Sequence, residues 1–400
     1  MTNHQEILPG GLRMAAGDSM RFSVIAVIAF LTLVDLFAAQ AILPSLVEKF
    51  EVSRAAMGFA VNASTFGMAI AGLAIALFGR NIDRRNGIWV SLVLLSIPTV
   101  LLSMTDNITV FALLRIAQGL FMSAAFTLTV AYLAEHSSPA QAAGALAAYV
   151  TGNVASNFFG RILSAAVADS FGISVNFLTF AALNIAGAIL VWLTLKKTER
   201  MMTGASRQAH AGSAWNAHLM NSELRRSFAV GFLILLVFIG TFTYVNFQLA
   251  APPLALSPMA LGLVYFVFLP SLLTTPLAGR VAGRLGAARG IGLTLGLAIA
   301  GLLALLTSHL PVVLAGMAVI AIGTFLAQAI ATGHVSHTAK RDKAAASGIY
   351  LAFYYSGGLV GSLVIGQVYD RLGWTASVAI LVLALIAAIV LARPLRSLNS

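Results

Sequence analysis

Three ionisable side chains, Asp35, Arg115 and Arg161, interrupt apolar stretches that are long enough to cross a bilayer. A charge inside hydrocarbon is costly, so each of the three is a candidate functional residue. A carboxylate in a low-dielectric site resists ionising, whereas an approaching cation favours its ionisation. Asp35 could therefore exchange a proton with a cationic substrate or with a movement of Arg115. The alternative is a static ion pair between Asp35 and Arg115 that joins two helices.

Arg115 opens the sequence Arg-Ile-Ala-Gln-Gly, which ends at Gly119. Arg115 and Gln118 are three residues apart and share one face of a helix. Gly119 allows a neighbouring helix to approach closely. Arg115 lies on the order of 10 Å below the outer end of its stretch, at 1.5 Å per residue. There are therefore two interpretations of Arg115: it has a functional role, or its side chain snorkels to the membrane surface.

Arg161 adds a second cation, so a shared cavity would contain one acid and two bases. This charge balance favours an anionic or amphoteric substrate. Uncharged polar or aromatic residues within the apolar stretches are further substrate-binding candidates: Gln40, Asn62, Gln118, Asn153, Asn157, Tyr244, Asn246, Gln248, Tyr265, Phe325, Gln328, Tyr350, Tyr354 and Tyr355. The alternative role for each is a hydrogen bond between helices.

The composition places these residues in an integral membrane protein. Of 400 residues, 59% are hydrophobic and 9% are charged, whereas soluble domains carry about 25% charged residues. A membrane-crossing helix needs about 20 apolar residues. The sequence predicts an all-α protein with twelve such spans: 22–46, 55–78, 88–104, 109–134, 142–168, 174–195, 228–250, 259–278, 290–308, 312–333, 345–368 and 374–392. Pro44 and Pro270 are expected to kink their helices.

The basic residues indicate the orientation of the spans. Of the 24 Lys and Arg, 19 fall on one set of loops and termini, three on the opposite set and two inside spans. Positive residues concentrate on cytoplasmic loops, so both termini are expected in the cytoplasm. This asymmetry explains the net charge of +11 without a nucleic-acid partner. The polar stretch 196–227 is predicted to be a cytoplasmic linker between six-helix bundles 1–195 and 228–400.

A short turn motif recurs along the chain. Residues 79–87, Gly-Arg-Asn-Ile-Asp-Arg-Arg-Asn-Gly, resemble residues 279–286, and both follow a span on the cytoplasmic side. Related sequences at 165–172 and 366–373 end spans on the opposite side. The motif thus follows spans 2, 5, 8 and 11 with alternating sidedness. This pattern predicts three-helix inverted repeats nested in two pseudo-symmetric halves, a plan known from transporters.

Twelve spans, a central linker and a Gly-x-x-x-Asp-Arg turn after the second span resemble the major facilitator superfamily. The turn retains Gly79, Asp83 and Arg84, which the resemblance implies are a gating motif. Asn86 replaces a glycine of the family pattern, and asparagine tolerates left-handed backbone, so we expect the turn to persist. The Arg-x-x-Gln-Gly sequence looks like the family's fourth-helix motif, which implies proton coupling through Arg115. The fifth span has no Gly-Pro-x-x-Gly-Gly stretch of the kind common in drug antiporters.

The resemblance implies a secondary transporter of the cytoplasmic (inner) membrane, similar to bacterial drug and sugar efflux permeases. We expect export of a small organic solute in exchange for protons, with Asp35 as the proton carrier coupled to Arg115. The alternatives are a proton symporter or exchanger for an organic anion bound by Arg115 and Arg161, and a non-transporting sensor. The partners expected are protons, the solute and the bilayer, and a monomer suffices.

The sequence does not predict an enzyme, a cofactor or a metal site. It contains no cysteine, so disulfides and thiolate metal sites are excluded. No serine–histidine–acid set and no nucleotide-binding motif is recognisable, which leaves an ion gradient as the expected energy source. His334 and His337 have a spacing compatible with a metal, but their neighbours in sequence are cationic. A solvated loop is the expectation for these two histidines.

Overall fold

The computed structural model describes residues 16–78, 82–136, 139–195, 211–339 and 343–395. These ranges form helices without any strand. The α-helices are α1 Ala16–Ala41, α2 Leu43–Phe50, α3 Arg54–Phe78, α4 Arg84–Leu102, α5 Ile108–His136, α6 Pro139–Phe171, α7 Ile173–Thr194, α8 Ala211–Met220, α9 Ser222–Ala250, α10 Pro258–Val264, α11 Leu269–Thr274, α12 Ala278–Ala304, α13 Leu310–Thr338 and α14 Lys343–Ala392. Two 3₁₀ turns, Tyr265–Phe268 and Thr275–Leu277, flank α11.

The described helices cover all twelve predicted spans, which confirms the all-α membrane fold. Nine apolar stretches in the described ranges are long enough to cross a membrane, and two of them, Pro258–Ala304 and Ala345–Ala392, are 47 and 48 residues long. Each of these two contains a glycine with non-helical backbone and accounts for two spans. The 33-residue α6 supplies the remaining span. The boundary between bundle and linker stays a prediction, because residues 196–210 lie outside the described ranges.

The proline kinks lie where the sequence predicts them. The first span breaks at Ile42, whose backbone angles are φ −103° and ψ 17°, and α2 restarts with Pro44 in its first turn. The eighth span loses regular α-helix from Tyr265 to Phe268, just before Pro270. A stretch of 3₁₀-helix inside a longer helix often marks a functional position. This one contains two of the aromatic rings that surround Arg161.

The repeated turn motif has a common backbone feature at its last residue. Gly172, Gly286 and Gly373 have φ values of 88°, 77° and 80°, a region that favours glycine. Each of the three motif copies thus ends one helix and redirects the chain into the next. The fourth copy differs: Asn86 lies inside the first turn of α4, so the left-handed backbone considered for Asn86 is wrong. Asp83 supplies an N-cap instead, and its Oδ1 accepts from the Asn86 N–H at 2.7 Å.

Equivalent helices pair in the two halves. In the first half α1 packs along α6, and in the second half α9 packs along α14, which correspond to spans 1 with 5 and 7 with 11. Backbone approaches closely at Gly119, where a Cβ would lie 3.0 Å from the Met68 nitrogen and nearer still to the carbonyl of Ser64. The close approach predicted for Gly119 therefore joins α3 to α5. The two halves meet through α3 with α14 and through α6 with α10.

The bundle has two ends, named here by their connections. The linker end contains residues 82–83, 195 and 339, and the far end contains residues 51–53, 103–107 and 251–257. His334 lies near the linker end and is 2% exposed, so the expectation of a solvated loop is wrong for it. Its Nε2 lies 3.2 Å from a carboxylate oxygen of Glu223 on α9. No group of metal-binding side chains occurs within the described ranges.

Candidate functional site

The predicted acid lies in a hydrogen-bonded group that we call the acid cluster: Asp35 on α1, Thr99 on α4, and Arg115 and Gln118 on α5. Gln118 is its centre. The Gln118 Nε2 donates to Asp35 Oδ1 at 3.2 Å and to Thr99 Oγ1 at 2.7 Å, and its Oε1 accepts from Arg115 Nη1 at 2.6 Å. The four side chains are buried, with Asp35 3% and Arg115 1% exposed. The acid and the base are therefore connected through one amide.

Arg115 bonds mainly to main-chain carbonyls. Its Nε donates to the carbonyl of Val61 at 2.8 Å, while Nη1 and Nη2 donate to the carbonyls of Asp35 and Leu36 at 3.1 and 3.2 Å. Nη2 also donates to Ser64 Oγ at 3.1 Å. Across the described residues, no carboxylate oxygen pairs directly with this guanidinium. Arg115 is thus neither a snorkelling arginine nor half of a direct ion pair with Asp35; it ties α5 to α1 and α3.

A second polar group connects the two halves, and we call it the bridge cluster: Gln40, Asn62, Asn157, Arg161, Thr243, Asn246 and Tyr265. Gln40 Nε2 donates to Asn62 Oδ1 at 2.6 Å, and Asn62 Nδ2 donates across the halves to Thr243 Oγ1 at 3.1 Å. Asn246 Nδ2 donates back to the Gln40 carbonyl at 3.0 Å. The Tyr265 hydroxyl donates to Asn246 Oδ1 at 2.6 Å. Side-chain amides of both bundles thus belong to one buried hydrogen-bonded network.

Arg161 is the charged member of the bridge cluster and is 0% exposed. Its Nε donates to Asn157 Oδ1 at 3.0 Å, and its Nη2 donates to Gln40 Oε1 at 2.5 Å. Nη1 makes no hydrogen bond in the described structure. The guanidinium carbon lies 3.9 Å from the centroid of the Tyr265 ring, and the Phe37 and Phe268 rings lie within 6 Å. This buried cation is therefore held by amides and ring faces.

Near the far end, three residues close the halves against each other, and we call this group the far-end contact: Arg54, Tyr369 and Asp370. The Ala55 N–H, at the start of α3, donates to Asp370 Oδ2 on α14 at 2.9 Å. The guanidinium of Arg54 lies over the rings of Phe247 and Tyr369 at 5.7 and 5.6 Å. A carboxylate at a helix N-terminus is favoured by both the hydrogen bond and the helix dipole. A carboxylate of one half thus caps a helix of the other.

Replacing Asp370 with alanine is expected to loosen the far end. Loss of an N-cap costs about 1 kcal/mol, roughly a five-fold change in a two-state ratio. Spin labels at cysteines introduced at Ser53 and Arg371, in the cysteine-free chain, report the distance between the halves. We expect Asp370→Ala to enlarge the long-distance population about five-fold and Asp106→Ala, at an exposed acid of the same end, to leave it unchanged. Equal distributions in all three proteins would show that this cap does not hold the halves together.

The remaining predicted residues lie outside the two clusters. Tyr244 is buried and donates to the Ser362 carbonyl at 2.7 Å, which joins α9 to α14. Tyr354 stacks on Tyr350 at 6.1 Å and contacts Tyr355 at 5.5 Å. Phe325 packs against Phe268, at 6.1 Å, beside the bridge cluster. Half-buried positions outside both clusters are occupied by Asn153, Gln248 and Gln328. Gly79 lies outside the described residues, and the Arg84 Nη1 donates to the Ile82 carbonyl at 3.2 Å.

Several residues that belong to these groups or bond to them were not among the sequence candidates. Thr99 and Ser64 resemble the many hydroxyls that bond to their own helix, and Thr99 does so as well, to the Leu95 carbonyl at 2.8 Å. Sequence alone offers no signal that separates them from such residues. Asp370 is different, because it occupies the position of Asp83 in a copy of the repeated motif. That repeat was a usable signal for a helix-capping acid.

The comparisons with known proteins agree with this architecture. The family model described as Major Facilitator Superfamily matches residues 25–268 and 246–399. The chain is 27% identical to the inner membrane transport protein YnfM of Escherichia coli (strain K12), over 88% of this chain and 85% of that protein. It is 23% identical to the uncharacterized MFS-type transporter YybF of Bacillus subtilis (strain 168), over 90% of this chain and 89% of that protein.

Two solved structures have the same fold at low sequence identity. A bacterial homologue of the human lysosomal transporter Spinster, in an inward-facing and occupied conformation, aligns with a TM-score of 0.73 at 15% identity, over 94% of this chain and 96% of that one. The human organic anion transporter MFSD10 (TETRAN) aligns with a TM-score of 0.68 at 18% identity, over 92% and 99%. With nearly the whole length matched, this chain belongs to the Major Facilitator Superfamily, a multi-pass membrane transporter.

Proposed function

We propose that this transporter exports a small organic solute in exchange for protons, with Asp35 as the proton carrier. The observation that carries the proposal is a buried carboxylate without an ion-pair partner among the described residues. Its Oδ1 accepts from Gln118 and Thr99, whereas its Oδ2 accepts no hydrogen bond there. A carboxylate that is not held in a direct salt bridge can gain and lose a proton without breaking an ion pair.

The acid cluster offers a route from protonation to helix movement. Ionised Asp35 accepts from the Gln118 amide nitrogen, which turns the Gln118 oxygen toward Arg115. A proton on Asp35 makes the carboxyl a donor, so Gln118 then satisfies it best with its oxygen. The amide nitrogen would face the Arg115 guanidinium, and two donors cannot bond to each other. Arg115 must then shift, and with it the contact of α5 to α1 and α3.

The proposed cycle is a rocking of the two bundles around the bridge cluster. Most of the Lys and Arg residues lie in loops and termini on the side of the linker end. Positive residues concentrate on cytoplasmic loops, which supports a cytoplasmic position for that end and for both termini. The far-end contact would then close the site on the outer side. Opening of that contact would expose the site outside, while the linker end closes. Energy comes from the proton gradient, and the two bundles of a single chain suffice for the cycle.

The second candidate is a proton symporter or exchanger for an organic anion. The observation that favours it is the excess of one positive charge among Asp35, Arg115 and Arg161 in the bundle interior. Arg115 uses all three of its nitrogens in hydrogen bonds, whereas Arg161 retains Nη1. Of the two arginines, Arg161 is therefore the available anion ligand.

Proteoliposomes with the full-length chain distinguish the candidates. The membrane potential is clamped at zero with potassium and valinomycin, so that the pH gradient alone drives flux. Labelled benzenesulfonate, benzenesulfonamide and phenyltrimethylammonium serve as an anion, a neutral solute and a cation of equal size. Antiport predicts that an acidic lumen drives uptake. Uptake driven by an acidic exterior would instead establish symport, and uptake indifferent to both gradients would contradict proton coupling.

A further inference from the structure

We infer that Arg161 binds the acidic group of the transported solute, and that this solute is an organic monoanion, a carboxylate or sulfonate on an aromatic or otherwise apolar body. This assignment rests on the proposed transport function. It concerns the bridge cluster rather than the acid cluster. It therefore predicts ligand selectivity independently of whether, and in which sense, protons are coupled.

The charge of Arg161 is the first reason. A fully buried guanidinium is normally paired with a carboxylate or a phosphate. Here the hydrogen-bond acceptors of Arg161 among the described residues are the amide oxygens of Gln40 and Asn157. Asp35, five residues before Gln40 on α1, is bonded in the acid cluster instead. Arg161 therefore lacks an anion, and a bound anion would complete its environment.

The geometry of the guanidinium is the second reason. Nη1 donates no hydrogen bond in the described structure, and Nη2 donates to Gln40. A carboxylate or sulfonate binds such a pair of nitrogens side by side through two oxygens. For this, Gln40 must release Nη2. Gln40 is also bonded to Asn62, which bonds to Thr243 of the other half. Anion binding would thus compete with a hydrogen-bonded link between the two bundles. Alternating access requires such links between the bundles to break.

The rings around Arg161 determine which anions fit. Tyr265 presents its ring face 3.9 Å from the guanidinium carbon, with Phe37 at 5.3 Å and Phe268 at 5.8 Å. Phe268 continues into a further aromatic group through Phe325. Apolar walls with a few placed polar groups are typical of sites for organic ligands. Small hydrated anions such as chloride or sulfate gain nothing from these rings. The site is therefore matched to an anion with an apolar body.

Ligand-dependent thermal stabilisation of the purified full-length chain in detergent tests this site at constant pH. The probes are benzenesulfonate, benzenesulfonamide and phenyltrimethylammonium, with sodium chloride and sodium sulfate at matched ionic strength. In the wild type we expect stabilisation by benzenesulfonate and not by the cation, the neutral probe or the salts. Arg161→Gln should weaken benzenesulfonate binding about 30-fold or more, because a charged hydrogen-bonded partner is lost. Arg289→Gln, at an exposed arginine, should bind like the wild type.

The preference of the wild type for the anionic probe over the neutral and cationic probes tests the proposal even if Arg161→Gln does not fold. In that case Arg161→Lys, which retains the charge and loses bidentate hydrogen bonding, should bind benzenesulfonate about ten-fold more weakly than the wild type. Equal stabilisation by the cationic and anionic probes would overturn the assignment. So would wild-type affinity in Arg161→Lys and Arg161→Gln, or an Arg161-dependent effect of chloride or sulfate alone. A preserved anion preference without any pH-driven flux would refute proton exchange and leave the binding site intact.

Discussion

Asp35→Asn is expected to abolish solute accumulation driven by a pH gradient. With one proton exchanged per solute, each pH unit supplies about 1.4 kcal/mol, which sustains up to about a ten-fold concentration ratio. Asparagine retains an accepting oxygen for Gln118 and Thr99 but cannot carry a proton. The ratio in the variant should therefore be about 1 at every gradient. The measurement is the steady-state ratio of labelled solute in proteoliposomes at three pH differences.

Two controls separate the loss of coupling from the loss of the protein. Solute exchange at equal pH on both sides requires no net proton movement, so we expect it to persist in Asp35→Asn. Asp106→Asn, at an acid whose side chain is 86% exposed, should accumulate solute like the wild type. A normal gradient-dependent ratio in Asp35→Asn would show that the proton is carried elsewhere.

Arg115→Ala is expected to have the largest effect on stability. The substitution leaves the carbonyls of Val61, Asp35 and Leu36, together with Gln118, without their guanidinium. Removing one partner from a buried charged network costs about 3 to 5 kcal/mol. In detergent, the apparent melting temperature should fall by about 5 °C. Thermal unfolding followed by tryptophan fluorescence gives the value.

Arg115→Lys tests whether the shape of the guanidinium matters beyond its charge. A lysine ammonium cannot bridge acceptors on α1, α3 and α5 simultaneously, so we expect less than half of the lost stability to return. Arg289→Ala, at an exposed arginine, serves as the matched control. Melting temperatures within 1 °C of each other for all four proteins would show that the bonds of Arg115 do not hold the three helices together.

The two arginines show how far residue type predicts role. Both were candidates because charges inside spans are costly, and both are fully buried. Their roles differ because of partners that lie far apart in sequence. Arg115 reaches carbonyls of α1 and α3, whereas Arg161 meets Gln40 of the first half and the Tyr265 ring of the second. No spacing rule relates these positions, because the contacts depend on helix rotation and on the packing of the halves.

Sequence by itself determined the membrane fold of this protein, the number of its spans, its repeat and the three buried charges. These features follow from local physics: hydrocarbon thickness sets span length, buried charge is rare, and the glycines that end three motif copies permit a backbone that other residues avoid. Tertiary structure alone decided that Gln118 separates Asp35 from Arg115, that Asp370 caps α3, and that Arg161 keeps an unpaired nitrogen. Each of these depends on side-chain atoms that meet within hydrogen-bond distance across different helices, and composition and periodicity contain no information at that scale.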